Sequence, residues 1–211
     1  MWLMALETTS AHGSLALLED GTERAAVPLE AGRYSTELLG AMDALAGRAG
    51  LKLEQMDAWA VASGPGSFTG VRIGLTAVKG FVEVWHRPAV AVSTLAAVAE
   101  AAAENGEPLL AALDAARGEI YFGLYPPGEE GLESAAAFAA RARGSGRRVA
   151  TPHETVAALC AGARVRLVPR QLAPAVGRLA WERLRNGGGS DALRLDANYV
   201  RRSDAEIFHR S

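Results

Sequence analysis

Residues 64–70 read GPGSFTG and run directly into VRIGLTAVKGFVEVW. A glycine-rich loop that opens a helix is where backbone N–H groups can cradle an anion. The spacing excludes the two nucleotide fingerprints such a loop could carry. A dinucleotide loop needs Gly-x-Gly-x-x-Gly, and after Gly64 and Gly66 the third position is Thr69. A Walker loop ends in Gly-Lys-Ser/Thr, and the next lysine is Lys79, three turns into the helix. What remains is tight backbone geometry. Pro65 fixes φ, Gly66 and Gly70 are free to take positive φ, and Ser67 or Thr69 can cap the helix.

Other groups that could do chemistry are scattered. His12, His86, His153 and His209 include no pair at i, i+4 spacing, so no metal site is expected. There is no HExxH, and Ser67 lacks the Gly-x-Ser-x-Gly elbow that would expose a nucleophile. Cys160, the single cysteine, sits in the apolar run VAALCAGA and reads as core; alone it excludes an internal disulfide framework and fits a reducing compartment. Asp114 and Glu119 bracket a hairpin turn and read as turn and strand-edge residues. Arg117, at the tip of that hairpin, reads either as a solvated charge or as a guanidinium that contacts a phosphate or a partner carboxylate.

These residues need elements to position them. The 211 residues, 49% hydrophobic with net charge −2, suffice for one large domain or two small lobes; they show no nucleic-acid footprint, signal segment or membrane span, and fit a cytoplasmic globular protein. WLMALETT, SLALLEDG and TERAAVPLE read as a three-stranded meander with a turn at Glu19-Asp20-Gly21. Ser35 is expected to cap a helix over 35–48 with Leu38, Met42, Leu45 and Ala49 on one face, stopped at Gly50. DAWAVAS then leads into GPGSFTG, a helix over about 70–85, the strand AVAVS, and a helix capped by Ser93 or Thr94. LLAALDA and EIYFGLYP restart the pattern as a hairpin, predicting a duplicated α/β lobe divided at 1–105 and 106–211, the second lobe curtailed. Residues 126–131, 141–148 and 186–190 have loop compositions, the basic RARGSGRR run at 141–148 reading as a solvated loop.

On the helix at 70–85, Arg72, Thr76, Lys79 and Glu83 form one polar stripe. Opposite lie Gly70, Gly74, Ala77, Phe81 and Trp85, flanked on one side by Val71, Leu75, Val78 and Val82. Such a helix has more apolar surface than one sheet covers. Two readings stay open: a fully buried crossover helix, or one whose face is a subunit interface together with the helix at 35–48.

GPGSFTGVRIG, the opening LMALETTSAHGSLAL, VSTLAAVA, LDAARGEIYFGLY and the tail ANYVRRSDAE together resemble the TsaB (YeaZ) family, a bacterial subunit of the machinery that makes threonylcarbamoyladenosine (t6A) on tRNA. The resemblance is dense over 1–125 and thin over 126–190. It implies the duplicated actin-like, Hsp70 and acetate-kinase type of fold (ASKHA) with a reduced second lobe. It implies a non-catalytic subunit that pairs with a TsaD-like catalytic subunit and works with a TsaE-like ATPase and with tRNA, forming a homodimer when alone. ATP and a metal would be held by those partners, and the chain would have no cofactor of its own. The interface so implied runs through Leu38, Met42, Leu45, Gly70, Val71, Arg72, Gly74, Ala77, Val78 and Phe81. Glu7, where the family has aspartate, begins a turn with Thr8, Thr9 and Ser10 that has two readings, a purely structural turn or the turn that in this fold surrounds a phosphate; Tyr34 stands where many members have histidine. The rival is a free-standing ATP-dependent phosphotransferase or ATPase of the same fold. It needs a second phosphate loop and a glycine motif in the second lobe, and 149–190 shows neither.

Overall fold

The computed structural model of the chain describes residues 1–30, 32–104, 106–189, 195–198 and 200. The opening meander is present: β1 (Trp2–Glu7), β2 (Ser14–Glu19) and β3 (Thr22–Pro28) pair antiparallel in order. The β2–β3 reversal takes only two residues because Asp20 and Gly21 both adopt positive φ, 49° and 78°. Helix α1 (Tyr34–Gly47) crosses to β4 (Ala58–Ala62), parallel to β1, and α2 (Phe68–Trp85) crosses to β5 (Ala89–Val92), parallel to β4. α3 (Thr94–Ala102) follows, with the Ser93 hydroxyl accepting from the Leu95 and Ala96 amides.

The second half repeats this path. β6 (Leu109–Asp114), β7 (Glu119–Tyr125) and β8 (Glu129–Ser134) form a meander. α4 (Ala135–Gly144) leads to β9 (Arg148–Thr151), α5 (Glu154–Leu159) to β10 (Val165–Leu167), and α6 (Ala173–Arg185) follows as the last helix of the repeat. The sheets run β3-β2-β1-β4-β5 and β8-β7-β6-β9-β10, each an antiparallel meander followed by two parallel strands. The duplication too faint to prove in sequence is therefore complete in topology. The second lobe is reduced in length and not in strand number: β9 has four residues, β10 three and α5 six.

Two loop assignments are corrected. Residues 129–131 of the PPGEEG stretch belong to β8, and RARGSGRR holds the end of α4 and the start of β9. Two of its arginines are paired: Arg141 binds Glu133 and lies over the Phe122 ring, and Arg148 binds Glu104 and Glu107. The terminal helices also exchange lobes. α6 packs on β1, β2, β4 and β5, while α3 packs on β6, β7 and β9. One apolar core accordingly runs from Leu3 and Val92 through Leu95 and Val98 to Leu109, Ala111 and Val176. A division near residue 105 separates the sheets but not this core.

Helix starts differ instructively. Ser67 caps α2 as expected, its Oγ accepting from the Gly70 amide at 3.2 Å. Ser67→Ala is expected to cost about 1 kcal/mol in urea denaturation. Ser35 caps nothing: α1 begins one residue earlier, behind Arg33, with no side-chain cap. Gly70 does not take positive φ; it is already helical, and its hydrogen is needed for a different reason, described below.

Candidate functional site

Between the lobes lies a cleft of about 940 Å³. One lip is the β1–β2 turn (Thr9–His12) with the glycine loop (Pro65–Phe68); the other is the β6–β7 turn (Asp114–Arg117) with His153–Thr155 and Arg170. Because the lobes share a topology, the β6–β7 turn is the second-lobe counterpart of the β1–β2 turn. The second lobe's counterpart of that turn is therefore the LDAARGE hairpin and not a loop within 149–190. At this turn Asp114 Oδ1 accepts from the Ala116 amide at 2.8 Å, and Ala116 and Arg117 are both left-handed, φ 58° and 53°. Asp114 is thus a turn cap, and Glu119 closes the same turn through its backbone. Arg117 does line the cleft.

Sequence spacing could not reveal the pairing across the cleft. Arg170 Nη1 meets His12 Nε2 at 3.0 Å and Arg170 Nη2 meets Glu154 Oε1 at 3.4 Å, although His12 and Arg170 are 158 residues apart. His153 stands beside them, and burial holds its pKa below the usual histidine value. Among the described residues no group of three or more His, Cys, Asp and Glu side chains is placed to hold a metal ion.

Of the expected phosphate turn, Thr9 and Ser10 line the cleft and Glu7 and Thr8 do not. Glu7 is fully buried. Its Oε1 accepts from the Thr9 amide and Oγ1, both at 2.6 Å, and its Oε2 accepts from Ser10 Oγ at 3.2 Å. Thr8 Oγ1 donates to the Gly70 carbonyl at 2.7 Å. The carboxylate is spent on its own turn, so these residues do not fit the task of positioning a metal-bound phosphate. Burial raises the Glu7 pKa against the lowering effect of the Thr9 bonds. A raised folded pKa gives stability that is complete below the unfolded value of about 4.3 and is lost as pH rises through the folded value. Urea midpoints from pH 4.5 to 8 are therefore expected to fall for the wild type relative to Glu7→Gln, which keeps an acceptor for Thr9 without the charge. A constant difference across that range would contradict the assignment.

The interface expected on α1 and α2 needs a larger correction. Leu38, Met42, Leu45, Val71, Val78 and Phe81 are buried in this chain's own core, over the first sheet. Phe81 stacks on Trp59 of β4, ring centroids 4.5 Å apart. Gly70 admits the backbone of the first lobe's own turn, and Gly74 admits the Thr8 and Val61 side chains. A Cβ at 70 would stand 1.9 Å from the Thr8 carbonyl oxygen, and one at 74 would stand 2.6 Å from Thr8 Oγ1. For these positions the buried-crossover reading is the right one. Arg72 is exposed over the Phe68 ring, 3.8 Å from its centroid, and Ala77 is half-buried.

The exposed apolar surface lies on the other sides of the same helices. Among the described residues four large hydrophobics are exposed; Leu39 (59%), Phe68 (45%) and Val84 (68%) are on α1 and α2. Around them Gly40, Gly47 and Gly80 face open space, and Ile73 and Ala77 are half-buried. The two helices touch each other; on α2, Ile73, Ala77, Gly80 and Val84 share one helical face, while Phe68 belongs to the cleft lip. The tail also reaches the first lobe: Leu195 is buried, the Asn198 amide donates to the Ser63 carbonyl at 2.8 Å, and Asn198 Nδ2 donates to Glu130 at 2.7 Å. Tyr199, Arg201 and Arg202, whose types suit contact with a partner or RNA as well as packing of the tail over the first lobe, lie outside the described residues.

The family model described as TsaD, tRNA N6-adenosine threonylcarbamoyltransferase, matches residues 22–158. The tRNA threonylcarbamoyladenosine biosynthesis protein TsaB of Haemophilus influenzae is 38% identical over 122 residues, 57% of this chain and 52% of the relative. The chain thus spans about half the length of that curated relative. The solved structure of YeaZ from Pseudomonas aeruginosa is 27% identical with a TM-score of 0.77, covering 94% of this chain and 99% of that one. At 9% identity and a TM-score of 0.53, the activator of 2-hydroxyisocaproyl-CoA dehydratase from Clostridium difficile covers 89% of this chain and 97% of that one, a likeness of fold alone and consistent with the ASKHA type. No helix among the described residues is long and apolar enough to cross a membrane.

Proposed function

The chain belongs to the TsaB (YeaZ) family, within the threonylcarbamoyltransferase family whose model it matches, and from that premise we propose that it is a non-catalytic subunit of cytoplasmic t6A synthesis that binds and activates a TsaD-like catalytic subunit. The observation that carries this reading is the exposed surface of α1 and α2. Leu39 and Val84 stand out from glycines at 40, 47 and 80 that let a second backbone approach. An apolar patch of that kind on adjacent helices is what a partner or a second copy of the chain covers. The non-catalytic role is supported by Glu7, whose oxygens are already held by Thr9 and Ser10. ATP and metal are then held by the TsaD-like subunit and a TsaE-like ATPase, and tRNA is reached through the complex.

The test is tRNA modification by the purified TsaD-like protein and its ATPase from the same organism, with and without this chain. The product is expected to depend on the chain, and Glu7→Gln is expected to support it as the wild type does. Modification at the same rate without the chain would overturn the role. Nucleotide turnover by the chain alone would favour the phosphotransferase reading.

A further inference from the structure

The β1–β2 turn faces the cleft and is hydrogen-bonded to the first turns of both outward helices. Toward α2, Thr8 Oγ1 donates to the Gly70 carbonyl and the Ser67 amide donates to the Thr9 carbonyl, both at 2.7 Å. Toward α1, the link is Tyr34, the helix's first residue. Its hydroxyl donates to the Ser10 carbonyl at 2.6 Å and accepts from the Gly13 amide at 2.9 Å, so one oxygen spans the far half of the turn. The fit is close: a Cβ at Gly13 would stand 2.7 Å from that hydroxyl and 2.9 Å from the Glu7 carbonyl. Tyr34 is 7% exposed, and α1 has no side-chain cap to hold its start. The helix that carries Leu39 is therefore moored at its N-terminus by a phenol bound to a turn that Glu7 itself fixes.

We propose that Tyr34 is a positioning residue for the partner surface: its hydroxyl holds the first turn of α1 against the β1–β2 turn, so that α1 meets the catalytic subunit already ordered. An uncapped helix start frays, and a partner that must order it binds more weakly. The coupling is reciprocal: a partner that holds α1 also holds the turn on the cleft wall. This rests on the reading of α1 and α2 as the partner surface.

The test is Tyr34→Phe in the full chain, which keeps the ring and removes the hydroxyl. In the isolated variant, amide exchange at Glu37 and Leu38 is expected to quicken while α2 stays as protected as in the wild type. Affinity for the TsaD-like protein is expected to fall about tenfold, the scale of ordering one or two residues on binding. Partner binding is expected to slow exchange at Thr9 in the wild type and less in the variant. A general loss of strength through packing alone would instead raise exchange in both helices. Unchanged exchange at Glu37 and Leu38 overturns the proposal even if no partner binds at all. Unchanged affinity in a chain that does bind its partner overturns it while leaving the partner surface standing. A wild-type chain that binds no partner overturns the coupling together with the functional reading beneath it.

Discussion

Replacing Gly70 with alanine is expected to destabilise the chain severely, and replacing Gly74 with tryptophan to prevent it from folding. The added Cβ at 70 would lie 1.9 Å from the Thr8 carbonyl oxygen and 3.0 Å from its carbonyl carbon. Both are backbone atoms of the turn after β1, and they cannot move aside as a side chain does. Overpacking a core costs about 1–3 kcal/mol and occasionally more; a clash with fixed backbone belongs at the top of that range or beyond it. Thr8 Oγ1 also bonds to the Gly70 carbonyl, so any retreat of α2 breaks a buried hydrogen bond as well. Against a typical total of about 5–15 kcal/mol, the urea midpoint should drop sharply. Gly80→Ala is the control, since its Cβ meets nothing within 4 Å. There alanine's helix propensity is expected to raise stability by up to about 1 kcal/mol. Equal effects at 70 and 80 would mean that α2 does not sit on the first strand as described.

The second large effect is on association. Val84 is 68% exposed, so Val84→Asp is expected to change stability by no more than about 0.5 kcal/mol. A charge at the centre of an apolar contact should nonetheless weaken partner binding about thirtyfold or more, the scale of a hot-spot loss near 2 kcal/mol. Leu39→Asp on α1 is expected to act in the same direction. Calorimetric titration against the TsaD-like protein, with circular dichroism to verify the fold, separates these changes from those at 70 and 74. Wild-type affinity in both charged variants would remove α1 and α2 from the interface.

The contrast between Gly74 and Gly80 also shows where sequence reading stops. Both are glycines in one amphipathic helix, and helical periodicity correctly marks the Arg72–Glu83 stripe as the wet side. Periodicity does not say which of the remaining faces meets the chain's own sheet. That depends on how closely Thr8, on the turn after β1, approaches Gly74, a contact between residues distant in sequence. The same limit moved Leu38, Met42 and Leu45 from the expected interface into the core: burial by one's own sheet and by a partner require the same residue types. Turn chemistry was legible because it is local. Asp20-Gly21 and Ser67 stand where their residue types place them, whereas Ala116 and Arg117 take a left-handed conformation that their types do not announce. The second lobe was poorly legible because β8 is acidic, GEEGLES being an unlikely run for a strand, and because β9 and β10 are too short to show a period. His12 with Arg170, and Tyr34 with the β1–β2 turn, join residues far apart in sequence and required the fold.

The central claim is that the outer face of α1 and α2 recruits the catalytic subunit. Light scattering on a sizing column tests it most directly, with the chain run alone and then mixed with the TsaD-like protein from the same organism. A self-associated species that converts to a mixed complex is expected, with loss of that complex in Val84→Asp. A chain that elutes unchanged in the mixture, even with ATP and the TsaE-like ATPase present, would contradict it.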